Sequence, residues 1–161
     1  MAGFSIDRNK GKISDIKQNI ENNKSELHNL ENNKQELLDL GTAVQVSDLD
    51  EDHQQVLMEK INEDLEENAE KGKEIAETMT SDFQNVEGIR QETQESLNSN
   101  AQVKSKFEHK KAMLDKFGLG RGMEEGIAEL DDNRMELEGL MDDLSNTEKE
   151  LTEVSRKLQS L

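Results

Sequence analysis

Apolar residues recur along most of this chain at alternating steps of three and four positions, with polar side chains between them. In the first segment, about residues 5–40, seven of the ten positions spaced in this way are apolar. A repeat this narrow is typical of a helix that packs through a coiled-coil seam, whereas a strand alternates at every second residue. The seam residues expected to pack or bind here are Ile13, Ile16, Ile20, Leu27 and Leu30.

The first connection is predicted at residues 41–47. Gly41 follows Leu40 where a glycine in the left-handed conformation commonly ends a helix. Ser47 precedes an acidic run, which suits the positive end of a new helix. We therefore expect the chain to reverse its direction here.

The second helical stretch is predicted over about residues 48–115. Weak helix formers at 78–82 and at 98–100 are candidate breaks, so one long helix and two shorter helices are both compatible with the pattern. Near the end of this stretch the seam residues are Phe107, Leu114 and Phe117.

A glycine-rich turn at 117–122 leads into the last predicted helix, about residues 123–161. Three glycines within this turn allow backbone angles that other residues resist. The helix after it has the cleanest heptad repeat of the chain, and the second helix is the nearest candidate for its packing partner. Its seam residues are Leu130, Leu137, Leu140, Leu144, Leu151, Val154 and Leu158.

These elements predict an all-α fold in a single elongated domain, residues 1–161. The arrangement is an antiparallel coiled coil or helical bundle of three long helices, or of four if the central helix breaks near Thr80. Only 31% of the residues are hydrophobic and 35% are charged, which provides a narrow seam rather than a thick core. The absence of Pro, Trp, Tyr and Cys also favours helix over strand.

Charge narrows the range of partners. A net charge of −17 opposes binding to nucleic acid and to anionic membranes, and no apolar run is long enough to insert into a membrane. The charge is unevenly distributed, because residues 48–87 hold fourteen acidic and three basic residues, whereas 104–121 hold six basic and two acidic ones. The basic segment would attract an acidic surface, either on this protein or on another.

One acidic run has the spacing of a calcium-binding loop. Asp48, Asp50, Asp52 and Glu59 match loop positions 1, 3, 5 and 12 of an EF-hand, but His53 stands where that loop requires glycine. The first turn of a helix accounts for the same acidic residues, because carboxylates are favoured at a helix N-terminus. We therefore predict no metal site.

Other chemistry is equally weak in the sequence. The glycines of 118–122 lack the Gly-Lys-Ser/Thr ending of a phosphate loop, and the three histidines are not spaced to share a metal on one helix face. A catalytic carboxylate pair needs a desolvated pocket, which a narrow helical seam does not offer. We expect no enzymatic activity and no cofactor.

The start Met-Ala-Gly-Phe-Ser-Ile and the hairpin sequence at residues 114–123, Leu-Asp-Lys-Phe-Gly-Leu-Gly-Arg-Gly-Met, stand in an acidic helical chain without an apolar leader. In general architecture the chain resembles the helical accessory proteins and toxin leader regions of bacterial type VII (WXG/LXG-type) secretion systems. It departs from them in having no Trp-x-Gly turn and no Tyr for their export signal. The resemblance implies a targeting chaperone that pairs with the helices of a secreted effector.

The sequence is compatible with two functions. One is an adaptor that binds helices of an effector or toxin, and the other is a structural scaffold or spacer that binds copies of itself. Either requires a homo-oligomer or a hetero-oligomer, because seams interrupted by Asn, Lys, Thr and Gly favour completion against another helix. The protein is expected in the cytoplasm. The alternative is that it is exported without a cleavable signal peptide.

Overall fold

Three long helices make up nearly all of the chain in a computed structural model, which describes residues 2–161, with side chains described from Ser5 onward. They are α1 (Ala2–Gln45), α2 (Glu51–Asp115) and α3 (Glu124–Gln159), with a short 3₁₀ turn at Gly120–Met123 before α3. No strand occurs among the described residues. The all-α class and the count of three long helices are confirmed. Met1, which belongs to the starting sequence that carries the resemblance, lies outside the described residues.

Helix α1 continues past its predicted end at Leu40 and reaches Gln45. Gly41, expected to cap the helix, lies inside it and is buried, and a Cβ at this position would be 3.7 Å from Cε of Met58. The next seam residue, Val44, is also buried. Packing of this last turn against α2 outweighs the modest cost of one glycine in a helix.

Asp50, rather than Ser47, caps the start of α2. The backbone N–H of His53 donates to Oδ1 of Asp50 at 2.9 Å, and this bond lowers the pKa of the Asp50 carboxyl. The hydroxyl of Ser47 instead donates back to the carbonyl of Val44 at 2.6 Å. Helix α2 therefore begins at Glu51, and the acidic run supplies its cap and first turn.

Helix α2 is continuous through both segments that the sequence marks as candidate breaks. The hydroxyls of Thr78 and Thr80 donate to the carbonyls of Glu74 and Ala76, at 3.1 and 2.9 Å. Their polar groups are thus satisfied within the helix instead of competing with it. Met79 between them is buried and holds this turn in the packing. The alternative with four helices is not formed.

The turn from α2 to α3 is a Schellman motif, in which a residue with positive φ ends the helix. Gly118 has a φ of 73°, and the N–H of Leu119 donates to the carbonyl of Leu114 at 3.0 Å. The N–H of Gly118 donates to the carbonyl of Asp115 at 3.1 Å. A Cβ on Gly120 would lie 1.6 Å from Oδ1 of Asp115, so a larger residue there would have to displace this exposed side chain.

The chain divides into two compact units. The first contains α1 up to Lys17 together with Phe83–Lys149. Within it α1 runs parallel to α3, as ion pairs of Lys10 with Glu136 at 3.6 Å and of Lys17 with Asp143 at 3.7 Å show. The buried apolar side chains of this unit are Ile6, Ile13, Ile16, Val86, Ile89, Leu137, Leu140 and Leu144.

The second unit contains Gln18–Asp82 and Glu150–Leu161. Here α1 and α2 form an antiparallel hairpin, in which the side chain of Asn68 donates to the carbonyl of Leu30 at 3.0 Å. The buried apolar side chains of this unit are Ile20, Leu27, Leu30, Leu37, Val44, Ile61, Ile75, Met79, Leu151 and Val154.

Candidate interaction site

The second unit contains an open apolar cleft of about 500 Å³. Small residues spaced by three and four on α2 form its floor, and leucines from the other two helices form its sides. The residues that define it are Leu38, Leu65, Ala69, Gly72, Ala76 and Leu158. Because small side chains let a helix backbone approach closely, the cleft has the shape and chemistry to receive an apolar helix face.

The end of α3 forms one wall of the cleft. A Cβ on Gly72 would lie 3.1 Å from Cδ2 of Leu161 and 3.7 Å from Cδ1 of Leu158, so these leucines pack directly on the glycine. The ammonium of Lys34 on α1 donates to the backbone carbonyl of Leu161. This wall therefore depends on a glycine that leaves room for two leucines.

Polar contacts fix the base and the rim of the cleft. Asn68 is buried, and its Oδ1 accepts a bond from Asn33 at 3.0 Å while its amide donates to the carbonyl of Leu30. At the rim the ammonium of Lys73 donates to Glu70 at 2.7 Å, and this bond raises the pKa of Lys73. The buried amide is thus paired on both sides, which fixes the register of α1 against α2 at this level.

The end of the α1–α2 hairpin, residues 36–65, is acidic and exposes apolar side chains. It holds nine acidic residues and one lysine, a net charge of −8 with histidine neutral. Its interior is a small cluster of Leu37, Val44 and Ile61. The exposed side chains are Leu38, Leu40, Val46, Leu49, Val56 and Leu57. We call this surface the acidic hairpin end.

The end of the α2–α3 hairpin has the opposite charge. Within residues 104–121, Lys104 pairs with Asp131 at 2.7 Å and Lys111 with Asp115 at 3.5 Å. Four further cations have no carboxylate within 4 Å in the described part of the chain, namely Lys106, Lys110, Lys116 and Arg121. The exposed apolar side chains are Met113, Phe117 and Leu119. We call this surface the basic hairpin end.

Most of the seam residues predicted as a partner surface are covered by the chain itself. The buried ones are Ile13, Ile16, Ile20, Leu27, Leu30, Leu137, Leu140, Leu144, Leu151 and Val154. The partly exposed ones are Phe107, Leu114, Leu130 and Leu158, of which Leu158 lines the cleft. These seams therefore supply the core of each unit, and little of them is left for another molecule.

Phe117 departs from its predicted place in the seam and is 78% exposed. Helix α2 ends at Asp115, so the turn carries Phe117 out of the helical repeat before it would reach the seam. Sequence reasoning also passed over exposed apolar residues that lie beside the seam, such as Val56 and Leu57. Their signal is an apolar side chain at a position that the rest of the chain keeps polar.

One buried carboxyl stands apart from the surface charges. Asp82 on α2 is 2% exposed, and its Oδ1 accepts a bond from the amide of Asn19 at 3.3 Å. Its Oδ2 has no hydrogen-bond partner among the described residues, and burial raises the pKa of this carboxyl. Glu92 is the opposite case, because the hydroxyl of Ser5 at 2.8 Å and the guanidinium of Arg8 lower its pKa.

The acidic residues whose spacing matches an EF-hand loop, Asp48 to Glu59, are helical from Glu51 onward. Across residues 2–161, no three His, Asp or Glu side chains converge as a metal site would require. Among the same residues, no helix combines the length and apolarity needed to cross a membrane.

The chain matches no protein-family model, no curated protein sequence and no solved structure.

Proposed function

We propose that this protein is a non-enzymatic helical interaction module that binds an amphipathic helix of another protein in the cleft of its second unit. The observation that carries the proposal is the apolar opening formed by Ala69, Gly72 and Ala76 on α2 between leucines of α1 and α3. Helix-in-groove recognition uses such a surface, in which apolar anchors at every third or fourth residue of the ligand enter a preformed groove.

For the identity of that partner, we propose a secreted effector that the protein accompanies as an adaptor or targeting chaperone. Support comes from the resemblance to type VII secretion accessory proteins and from the size of the cleft. A cleft of about 500 Å³ accommodates the side chains of a short helical segment rather than a whole domain. The partner helix would therefore contribute a few apolar anchors and leave the rest of the effector free.

Light scattering during size-exclusion chromatography tests this function, with the protein alone and mixed with the product of the neighbouring gene. We expect a complex with one copy of each chain and an increase in total helicity on mixing. The double variant Ala69→Glu and Ala76→Glu should weaken the complex about 100-fold, because charges would enter an apolar contact. Both positions face solvent at least in part, so the variant should fold normally.

Ala101→Glu is the matched control, because Ala101 is an exposed alanine of the same helix outside the cleft. It should bind as the wild type does. A complex that survives the cleft variant, or a stable homodimer that ignores the added protein, contradicts the adaptor function.

A self-associating scaffold is the second candidate function. The observation that favours it is the opposite charge of the two hairpin ends, each of which also exposes apolar side chains. Neither hairpin end includes the small residues that form the floor of the cleft, so self-association can be tested without any other protein.

A further inference from the structure

We infer that the basic hairpin end of one copy of this chain docks on the acidic hairpin end of a second copy, so that the chain associates with itself through two different surfaces. The inference goes beyond binding of an effector helix, because the partner is a second copy of this chain and the surfaces share only Leu38 and Leu65 with the cleft. It rests on the apolar exposure and the opposite charge of the two ends.

The basic hairpin end combines exposed apolar side chains with unpaired cations. Phe117 is 78% exposed and Leu119 64% exposed, and the Schellman turn at Gly118 holds them between α2 and α3. Lys106, Lys110, Lys116 and Arg121 contribute charges that no carboxylate of the described chain neutralises. An exposed phenylalanine among unpaired cations is well suited to an apolar surface with an acidic border.

The acidic hairpin end offers such a surface. Val46 is 80% exposed and Val56 65% exposed, with Leu49 and Leu57 also accessible. Residues 36–65, which contain these side chains, have a net charge of −8 and are therefore complementary to the basic hairpin end. Apolar side chains of one end can therefore be buried against those of the other, while the charges around them attract.

The charges also decide which ends meet. Two basic ends repel each other, as do two acidic ends, so symmetric pairing of like ends is opposed. Pairing of unlike ends leaves one free end of each kind on every dimer. Such a contact is heterologous and continues to add copies until a ring closes or the concentration limits growth.

Sedimentation equilibrium from about 10 µM to about 1 mM at low salt measures this association directly. We expect the average mass to rise continuously with concentration and to fall when salt is added, because screening weakens the attraction. The triple variant Lys106→Glu, Lys110→Glu and Lys116→Glu should lower the association constant about 100-fold. All three lysines are exposed, so folding should be unaffected and circular dichroism checks this.

A charge-swap experiment separates this contact from general repulsion. The triple variant Asp39→Lys, Asp48→Lys and Glu59→Lys reverses exposed residues of the acidic hairpin end and should also fail to associate alone. Mixed in equal amounts, the two triple variants should associate again, since each supplies an end that the other can bind. No change in net charge by itself produces such a rescue.

Two further controls address charge and apolarity. Lys12→Glu, Lys149→Glu and Arg156→Glu change the net charge equally at exposed positions outside the basic hairpin end and should leave most of the association intact. Phe117→Ser should weaken association about tenfold by removing its apolar contact. Met135→Ser, at a position 66% exposed on α3, should have no effect.

A wild-type protein that stays monomeric over the whole concentration range overturns the inference, as does a mixture of the two triple variants that does not associate. Flotation with vesicles rich in an anionic phospholipid tests the competing use of the basic hairpin end. Binding to vesicles that requires Phe117, in a protein that stays monomeric in solution, would assign the basic hairpin end to membranes instead. The lysine triple variant is also the form in which to measure effector binding, so that failure of one proposal leaves the other measurable.

Discussion

Asn68 and Asp82 stand two heptads apart at the same seam position of α2, yet their surroundings differ. Asn68 donates to one group and accepts from another, so both of its polar atoms are satisfied. Asp82 accepts one bond from Asn19 and leaves its second oxygen unpaired. A buried amide with two partners costs little, whereas a buried carboxylate with one neutral partner reduces stability.

Asp82→Asn should therefore stabilise the protein at pH 7, by about 1 kcal/mol, the size typical of a favourable single substitution. Burial raises the pKa of Asp82 in the folded chain above its ordinary value of 3.8, so the charge reduces stability above the folded pKa. This cost disappears as the pH falls and the carboxyl becomes protonated in both states. Urea denaturation should accordingly show a gain at pH 7 that shrinks near about pH 4.

Asp142→Asn on the exposed face of α3 is the control for that measurement. It should change the free energy of unfolding by less than about 0.5 kcal/mol at either pH. A gain for Asp82→Asn of equal size at both pH values would contradict the role assigned to its charge.

At the level of the single helix, the seam of α3 includes side chains with no solvent exposure. Leu144, in the first unit, and Leu151, in the second, are both 0% exposed. On the opposite face Met135 is 66% exposed, so one helix provides both fully buried and freely solvated apolar positions. These positions separate the effect of burial from that of helix propensity.

Leu144→Asp and Leu151→Asp should each lower the free energy of unfolding by about 5 kcal/mol, because a leucine contact is lost and a charge enters an apolar seam. Since domains of this size are stable by only about 5–15 kcal/mol, the double variant should be largely unfolded. Far-ultraviolet circular dichroism measures the lost helicity. Met135→Asp should retain the wild-type spectrum, and a double variant with unchanged helicity would show that the seam is wrongly drawn.

At the scale of the whole molecule, charge is in excess and is segregated. The chain contains thirty-seven acidic and twenty basic residues. Its ion pairs are mostly between exposed side chains, and such pairs contribute little to stability. Self-repulsion of the net charge of −17 therefore opposes the folded state. Because of this segregation, the two hairpin ends have opposite charges and are the surfaces proposed to associate.

Raising NaCl from about 20 mM to about 500 mM should increase the melting temperature by about 5 °C in dilute solution, because salt screens the repulsion between carboxylates. The increase should be much smaller near pH 4.5, where the net charge approaches zero. Calorimetry on the lysine triple variant avoids interference from self-association. A melting temperature that falls with salt at pH 7 would mean that ion pairs outweigh repulsion.

The amino-acid pattern alone was enough to predict the helical class and most of the buried side chains. It also predicted three long helices, with four as the alternative. It did so because a seven-residue apolar repeat has only one regular structure that places it on one face. Leu137, Leu140 and Leu144 are examples, since their spacing alone predicted the burial that the fold provides. The glycine turn before α3 was equally clear, because few residues other than glycine accept positive φ.

Contacts between the helices determine where packing overrides a local sequence signal and which apolar residues stay exposed. Gly41 resembles a helix end in sequence but lies inside α1, because Met58 packs against it from α2. Phe117 fits the repeat but leaves it when α2 ends. The cleft around Gly72 is formed by residues distant in sequence, including Leu158, and no local sequence pattern predicts that they lie together. Such features depend on contacts between helices, which a periodic seam permits but does not specify.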